Sequence, residues 1–371
     1  MEVYVETATL ETAATRVLEA LGAPESTATV VAQSLTRADA RTGGTHGVGL
    51  LPLYTAMIED GAIEPAATPS VERDGSTACV DGHDAFGQLV GREATAVGVD
   101  AALESGVSVV GVRNGSHLGR LGEWSERAAD HGLCSLVFSN TGGGAKNVAP
   151  YGGHTRALST NPVAFGVPTF EAADFDIVVD FATSQVSGSV IRDAARTGVD
   201  LKAAWTTTED GTPVDSAGAF LEGDGALLPL GGRETGHKGY GLAVVAEVLG
   251  AMAGGTVVGQ SDPEWFSNAA TFVFVDPTRF GPRVEFERRL EAVIEHLHES
   301  GDTVRIPGEG STHRGQQAQE KGVHLEAHVR DALTSLAADL EVELPEPLGK
   351  HQSDVPTRGG DDDDQDDVRT W

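Results

Sequence analysis

The sequence predicts an α/β fold of more than one domain, a mixed sheet with flanking helices, and three observations carry that expectation. Helical and strand patterns alternate between about residues 88 and 138, the signature of a layered α/β core. A chain of 371 residues, 40% of them hydrophobic, suffices for two or three domains. Polar residues also gather at a strand end, where Asn114, Ser116 and His117 follow the apolar run Val107 to Val112. In open α/β sheets such ends are favoured ligand positions.

In chain order, Leu10, Ala13, Ala14, Val17, Leu18 and Leu21 recur at helical spacing and predict a one-faced helix that Gly22 ends. A second helix is expected from Ser26 to Ala38, leading into the glycine-rich turn that holds Thr45 and His46. The alternating region gives a helix over Gln88 to Leu103, a strand over Val107 to Val112, a helix over Trp124 to His131 and a strand over Cys134 to Phe138. Further strands are expected at Pro162 to Val167, Asp176 to Phe181 and Thr271 to Val275. A helix starting near Gly239 is expected to bury Leu242, Val245, Leu249 and Met252. The last helix is placed over His324 to Leu340, with Val329, Leu333 and Leu340 apolar, and no internal repeat is visible.

Composition narrows the partners. A formal net charge of −30 argues against nucleic acid and anionic membrane surfaces. Lysine is confined to Lys146, Lys202, Lys238, Lys321 and Lys350. That acidic, lysine-poor composition resembles proteins of salt-loving organisms, in which molar salt screens self-repulsion over about 3 Å. Cys79 and Cys134 stand alone, so neither a disulfide framework nor a zinc ribbon is indicated. The N-terminus lacks a basic region with an apolar core, and no apolar run reaches spanning length, so a soluble, cytoplasmic protein is expected. Residues 349–371, with their aspartate block, read as a solvated acidic tail.

Familiar nucleotide and metal motifs fail. Gly142, Gly143 and Gly144 follow a strand, but Asn147 stands where the last glycine of GxGxxG belongs, and GRETGHKGYG lacks P-loop spacing. In HLEAH the glutamate is one place late for HExxH, so His324 and His328 read as a solvated helix face, as do His296 and His298; no metal is expected. Three stretches stand out. GGTHGVG sets Thr45 and His46 between glycines, where backbone can approach a ligand closely. RNGSHLG puts His117 at a strand end, and GHKGYGL puts Lys238 before a helix N-terminus, a setting suited to pyrophosphate.

Seven stretches in order, ADARTGGTHGV, DGHDAFGQLVG, VRNGSHLG, VAPYGGHTRALSTNPVAFGVP, VDFATS, GGRETGHKGYGLAVVAEVL and RIPGEG, resemble the second type of malate/L-lactate dehydrogenase family. These are NAD(P)-dependent oxidoreductases that also include ureidoglycolate, sulfolactate and diketogulonate enzymes and cyclic imine (piperideine-2-carboxylate) reductases. The likeness runs from about residue 8 to 345. It implies a nucleotide-binding fold that is not Rossmann, a homodimer, and an active site in a cleft between domains. Residues 1–118 with 285–348 are expected to form a substrate and dimerisation domain, and residues 119–284 an NAD(P)-binding domain.

Carried over residue by residue, the resemblance makes His46 the proton donor, with Thr45 before it, and His117 the base of the ureidoglycolate enzymes. Thr160 and Asn161 match a turn that faces substrate. Cofactor contacts fall on Gly119, Thr141, Asp180, Ala182, Thr183, Lys238, Pro307, Gly308 and Glu309. The implied reaction interconverts a 2-hydroxy and a 2-oxo acid with NAD or NADP, NAD being slightly favoured; Arg192, Arg196 and Arg305 are loose candidates for a 2′-phosphate. Two departures matter. Leu50 stands where many members carry a carboxylate-gripping arginine, leaving Arg120, three residues beyond His117, as the alternative anchor. Ser189 occupies a position often lysine or aspartate. Cyclic imine reduction, or a binding protein that has lost catalysis, are the alternatives.

Overall fold

The computed structural model describes residues 3–261 and 263–348. The acidic segment 349–371, expected as a solvated tail, lies outside the described residues. The chain divides into two compact units, one built from the residues up to Asp60 and those from Ile294 onward, the other from Gly61–Val293. No described helix is long and apolar enough to cross a membrane.

In the first unit, helix Thr7–Ala20 buries Leu10, Ala13, Ala14, Val17 and Leu18, the stripe that its periodicity predicts. Helix Glu25–Thr42 continues one turn past the expected stop at Ala38 and ends on Gly43, which is left-handed (φ 71°) and donates its N–H to Asp39 O. Leu51–Glu59 and Glu309–Lys321 add two further helices. At the C-terminal end the expectation of one helix from His324 is corrected. Val323–Leu325 is a strand, antiparallel to Val3–Val5, and the helix begins only at Ala327. Val323 and Leu325 turn inward while His324, between them, lies against the Tyr4 ring, a period-2 pattern too short to register in a helical window. His324 and His328 therefore share no helix face, and His328 pairs instead with Glu326 at 3.3 Å.

The second unit is organised by a seven-stranded mixed sheet. In spatial order its strands are Ser70–Asp74, Thr77–Asp81, Val107–Gly115, Asn268–Val275, Cys134–Ser139, Val163–Val167 and Ile177–Phe181. Only the Thr77–Asp81 and Val107–Gly115 pair is parallel, joined through helix Gly87–Ser105; the others are antiparallel. Asn268–Val275 is the sequence-distant strand in the middle, buried on both faces. Its Phe272 and Phe274 join Val90, Val110, Val112, Trp124 and Val137 in the main core. Thr271, pointing the other way, donates its hydroxyl to Leu249 O, which places helix His237–Gly250 on the opposite face. A second core, with Val148, Leu158, Ile191, Phe220 and Leu227, lies under helix Gly188–Thr197 and the two-residue strands Thr206–Thr207 and Ala226–Leu227.

The helix expected near Gly239 is present as His237–Gly250, but its buried face is not the predicted one. Gly239, Ala243, Ala246, Glu247 and Gly250 face inward, whereas Val245 and Met252 are exposed. The sheet is too close for large side chains: a Cβ on Gly250 would lie 3.1 Å from Asn140 N and 3.3 Å from Ala269 O. Small residues therefore win the inward positions over apolar ones.

Gly98, inside helix Gly87–Ser105, shows the same constraint, since a Cβ there would sit 2.2 Å from Phe274 Cε2. On an exposed helix Gly→Ala stabilises by about 1 kcal/mol. Gly98→Ala is expected to reverse that sign and cost about 1–3 kcal/mol through overpacking, measured by urea unfolding.

Candidate active site

His46 lies in the first unit, in the turn that follows helix Glu25–Thr42. Its own φ is 65°, and it follows Gly43 (φ 71°) and Gly44 (φ 110°). Positive φ at a non-glycine residue costs on the order of 1–3 kcal/mol, so the surroundings must hold it. Thr42 Oγ1 donates to Thr45 O (2.8 Å), and Val48 N donates to Asp39 Oδ2 (2.9 Å). Asp39 is buried beneath the turn, and its other oxygen, Oδ1, has no hydrogen-bond partner. Burial pushes its carboxyl up to about 7, against the lowering pull of the Val48 N–H. Leu50, where the resemblance expects an arginine, ends the short helical turn Val48–Leu50 and is half-buried.

His117 lies in the second unit, two residues past strand Val107–Gly115. Its ring is half-buried and sits edge-on to Phe266, with centroids 5.6 Å apart. The backbone around it is fixed from two sides. Ser116 Oγ accepts from Gly87 N (2.8 Å), and Asn268 Oδ1 accepts from Leu118 N (2.8 Å). Gly87 is required by contact, because a Cβ there would lie 2.2 Å from His117 O. Gly119, next along, is left-handed at φ 74°.

From Asn268 a buried polar chain runs to the other predicted residues of this unit. Asn268 Nδ2 donates to Asn140 O (2.6 Å), and Asn140 Nδ2 donates to Thr256 O (2.9 Å) and Glu247 Oε1 (3.3 Å). Glu247 also accepts from Val258 N (2.8 Å) and, on Oε2, from Asn161 Nδ2 (2.8 Å). Asn161 is fully buried at φ 32°, and its Oδ1 lacks a hydrogen-bond partner. Thr183 closes the arrangement by donating its N–H to Thr160 O (2.9 Å) and its hydroxyl to Thr160 O (3.0 Å) and Asn161 O (3.1 Å). Thr141 is buried beside this chain and donates to Gly144 O (2.6 Å).

Arg120 is 6% exposed at the start of helix Leu121–Asp130. Its Nη2 stands 2.7 Å from Glu126 Oε2 in an ion pair, and its Nε lacks an acceptor. Asp180 accepts from Gly122 N (2.7 Å) close by. Asp180 is exposed, yet the protein around its carboxyl desolvates it enough to raise its pKa, with Arg120 and the Gly122 N–H pulling it down and Glu126 pushing it up. Ala182 is half-buried next to Thr183. Lys238 is exposed and lies inside the first turn of its 14-residue helix, which starts at His237 and not at the expected Gly239. Ser189 hydrogen-bonds to Ser187 (2.6 Å).

In the first unit, Pro307, Gly308 and Glu309 form the tight entry to helix Glu309–Lys321, with Gly308 at φ 99°. Glu309 Oε2 accepts from Ile306 N (3.0 Å) and meets His298 Nε2 at 3.2 Å, so this carboxylate orders its own turn.

The structure thus brings Thr160, Asn161 and Thr183 together through hydrogen bonds and joins them to the His117 turn through residues that sequence reasoning missed: Asn140, Glu247 and Asn268. Asp39 was missed as well. The signal for Glu247 was a charge inside the apolar run Leu242 to Leu249.

Residues 5–334 match the profile of the malate/L-lactate dehydrogenase family. Malate/(S)-sulfolactate dehydrogenase of Methanothermus fervidus is 28% identical over 336 residues, 89% of this chain and 96% of the relative. Malate dehydrogenase of Entamoeba histolytica has a similar structure, with a TM-score of 0.85 at 26% identity over 93% of this chain and 100% of its own. Delta1-piperideine-2-carboxylate reductase of Pseudomonas syringae gives 0.80 at 28% identity over 90% and 100%. The chain belongs to the malate/L-lactate dehydrogenase family.

Asp39 makes stability depend on pH. Its folded carboxyl titrates near 7 and an unfolded one near 3.8. The native state therefore keeps a proton that the unfolded chain releases. The stability from this group is complete below the unfolded value and is lost as pH rises through about 7, about 4 kcal/mol in all. The melting temperature of Asp39→Asn relative to the unsubstituted protein is accordingly expected to climb between about pH 5 and pH 8. A flat difference refutes a buried titrating carboxyl.

Proposed function

We propose that the protein is an NAD(P)-dependent dehydrogenase that interconverts a 2-hydroxy acid and a 2-oxo acid, with His46 as its proton-transfer group. The observation that carries this reading is an imidazole on a strained left-handed turn in a chain of this family. Oxidation of a secondary alcohol removes a hydride from carbon and a proton from oxygen. A neutral imidazole accepts that proton at the hydroxyl oxygen and returns it in the reverse direction, because its ordinary pKa lies near neutrality. Thr45 orients the ring, and His117 is the second proton-transfer candidate or the holder of the substrate oxygen.

A bound nicotinamide cofactor supplies the hydride chemistry. The fit for one is Lys238 with the first-turn amides of its helix, which favour a pyrophosphate. Gly119, Thr141, Asp180, Ala182, Thr183 and the Pro307–Gly308–Glu309 turn are the other residues proposed to hold it. NAD is favoured over NADP: at a net charge of −30 a 2′-phosphate needs a dedicated arginine, and Arg196 is already paired with Asp193 at 2.5 Å. Thr160, the buried Oδ1 of Asn161 and the incompletely satisfied guanidinium of Arg120 are the proposed substrate contacts. A homodimer working in the cytoplasm completes the proposal.

The likeness to a piperideine-2-carboxylate reductase favours one second reading, reduction of a cyclic imine acid. Nicotinamide absorbance followed with a panel of 2-oxo acids and a cyclic imine, with each cofactor and at high salt, tests both. Turnover of a 2-oxo acid supports the first reading, turnover of the imine alone transfers the proposal to the second, and inactivity on every compound refutes both.

His46→Asn is expected to lower turnover by about two to four orders of magnitude, the range of general acid/base catalysis, with cofactor binding retained. A mild effect would move the role to His117. Arg120→Ala is expected to raise the Michaelis constant for the acid by about tenfold or more while that for the cofactor stays within about twofold, read from steady-state kinetics.

A further inference from the structure

The turn that carries His46 departs from ordinary backbone conformation at several residues. Gly43, Gly44 and His46 all have positive φ, and side chains added at Gly43 and Gly44 would meet nothing within 4 Å. Hydrogen bonds pin it to the preceding helix, among them that of the Thr42 hydroxyl to Thr45 O and those that Asp39 accepts. Asp39 acts twice: its carbonyl accepts from Gly43 N (3.1 Å) where the turn begins, and its Oδ2 accepts from Val48 N (2.9 Å) where it ends. The segment 43–48 is thus clasped at both ends by one residue.

Gly47 gives the second, independent observation. Its backbone, φ −90° and ψ −157°, is open to any L-residue, so conformation does not demand glycine. Space does: a Cβ at Gly47 would lie 1.7 Å from Asp39 Oδ1 and 2.0 Å from Asp39 Cγ. The carboxyl occupies the volume of a side chain at position 47, pressed against the residue that follows His46.

We propose that Asp39 is the positioning residue of the His46 turn, its carboxyl setting the backbone that aims the imidazole. The functional part of this rests on the reading of His46 as the proton-transfer group, while the geometric part stands without it. Asp39 is buried beneath the turn, 3% exposed, so the role assigned to it is exerted through His46. Acceptance from Val48 N needs an oxygen but no charge, so an amide at position 39 preserves the clasp and a methyl group does not.

The test uses the full-length protein in four forms, Asp39→Ala, Asp39→Asn, Gly47→Ala and the double substitution Asp39→Ala with Gly47→Ala. The readouts are steady-state kinetics, thermal unfolding, and the rate at which diethyl pyrocarbonate labels His46, followed by peptide mass spectrometry. Asp39→Ala is expected to lower kcat by about ten- to a hundredfold, the effect of a catalytic group misplaced by about 1 Å, with the cofactor KM within about twofold. Its His46 labelling rate is expected to change, while Asp39→Asn stays near the unsubstituted protein in both readouts. Gly47→Ala, which keeps the carboxyl but displaces it, is expected to behave like Asp39→Ala and to melt lower. Removing the Asp39 side chain in the same molecule is expected to restore part of that melting temperature.

An Asp39→Asn variant as defective as Asp39→Ala overturns the proposal, as does an Asp39→Ala variant with unchanged kcat and labelling. Should Asp39→Ala fail to fold, Gly47→Ala and Asp39→Asn decide alone. If His46→Asn leaves turnover intact while Asp39→Ala alters labelling, the positioning stands and the catalytic reading of His46 falls.

Discussion

The Glu247 carboxylate is the constraint on which the polar interior of the larger unit depends. It is 4% exposed, on a helix face otherwise made of glycine and alanine, and it collects donors from Asn161, Asn140 and Val258. A buried carboxylate without such donors would be costly, and with them it becomes a hub whose partners have little freedom to move. Through Asn140 and Asn268 the constraint reaches the backbone beside His117, and through Asn161 it reaches Thr160 and Thr183. Several stretches far apart in sequence are set by one side chain.

Around this hub and around Asp39 the same economy recurs. Residues proposed for chemistry sit at uncomfortable backbone angles, His46 at 65° and Asn161 at 32°, and each is next to a buried acidic side chain that accepts hydrogen bonds from its own segment. Strain of this kind persists only where neighbours over-determine the conformation. Near these residues some glycines answer to contact, Gly47 yielding its side-chain volume to Asp39, Gly87 to His117 O and Gly250 to the sheet, whereas Gly43 and Gly44 answer to positive φ.

Much of the architecture was legible because periodicity reports which face of a regular element is buried. The stripe of helix Thr7–Ala20 and the helix-strand alternation from Gln88 to Phe138 come from side chains that meet a neighbour at every turn or every second residue. The method failed where size overrode hydrophobicity. Val245 was expected inside, yet the close approach of its helix to the sheet admits Ala246 and Gly250 instead, and Met252, expected in that helix, lies beyond its end. It failed again at Val323–Leu325, where three residues pair with a strand some 320 positions earlier in the chain. The two histidines, Lys238 and the Thr160–Asn161 turn were visible through motif and resemblance. Asp39, Asn140, Glu247 and Asn268 were not, because a side chain that acts by receiving or giving hydrogen bonds across long separations leaves no local pattern.

By itself, then, the sequence determined the α/β class, the main helices, the family likeness, and which residue types are offered to a ligand, since composition, spacing and ordered motifs are properties of the chain taken in order. Only the tertiary structure decided which of those residues are held and by what. Arg120 meets Glu126, and Glu309 orders its own turn. The partners of Glu247 lie between 11 and 107 positions away from it. Such pairings depend on distance in space, which folding sets through packing, and no order of residues along the chain states it directly.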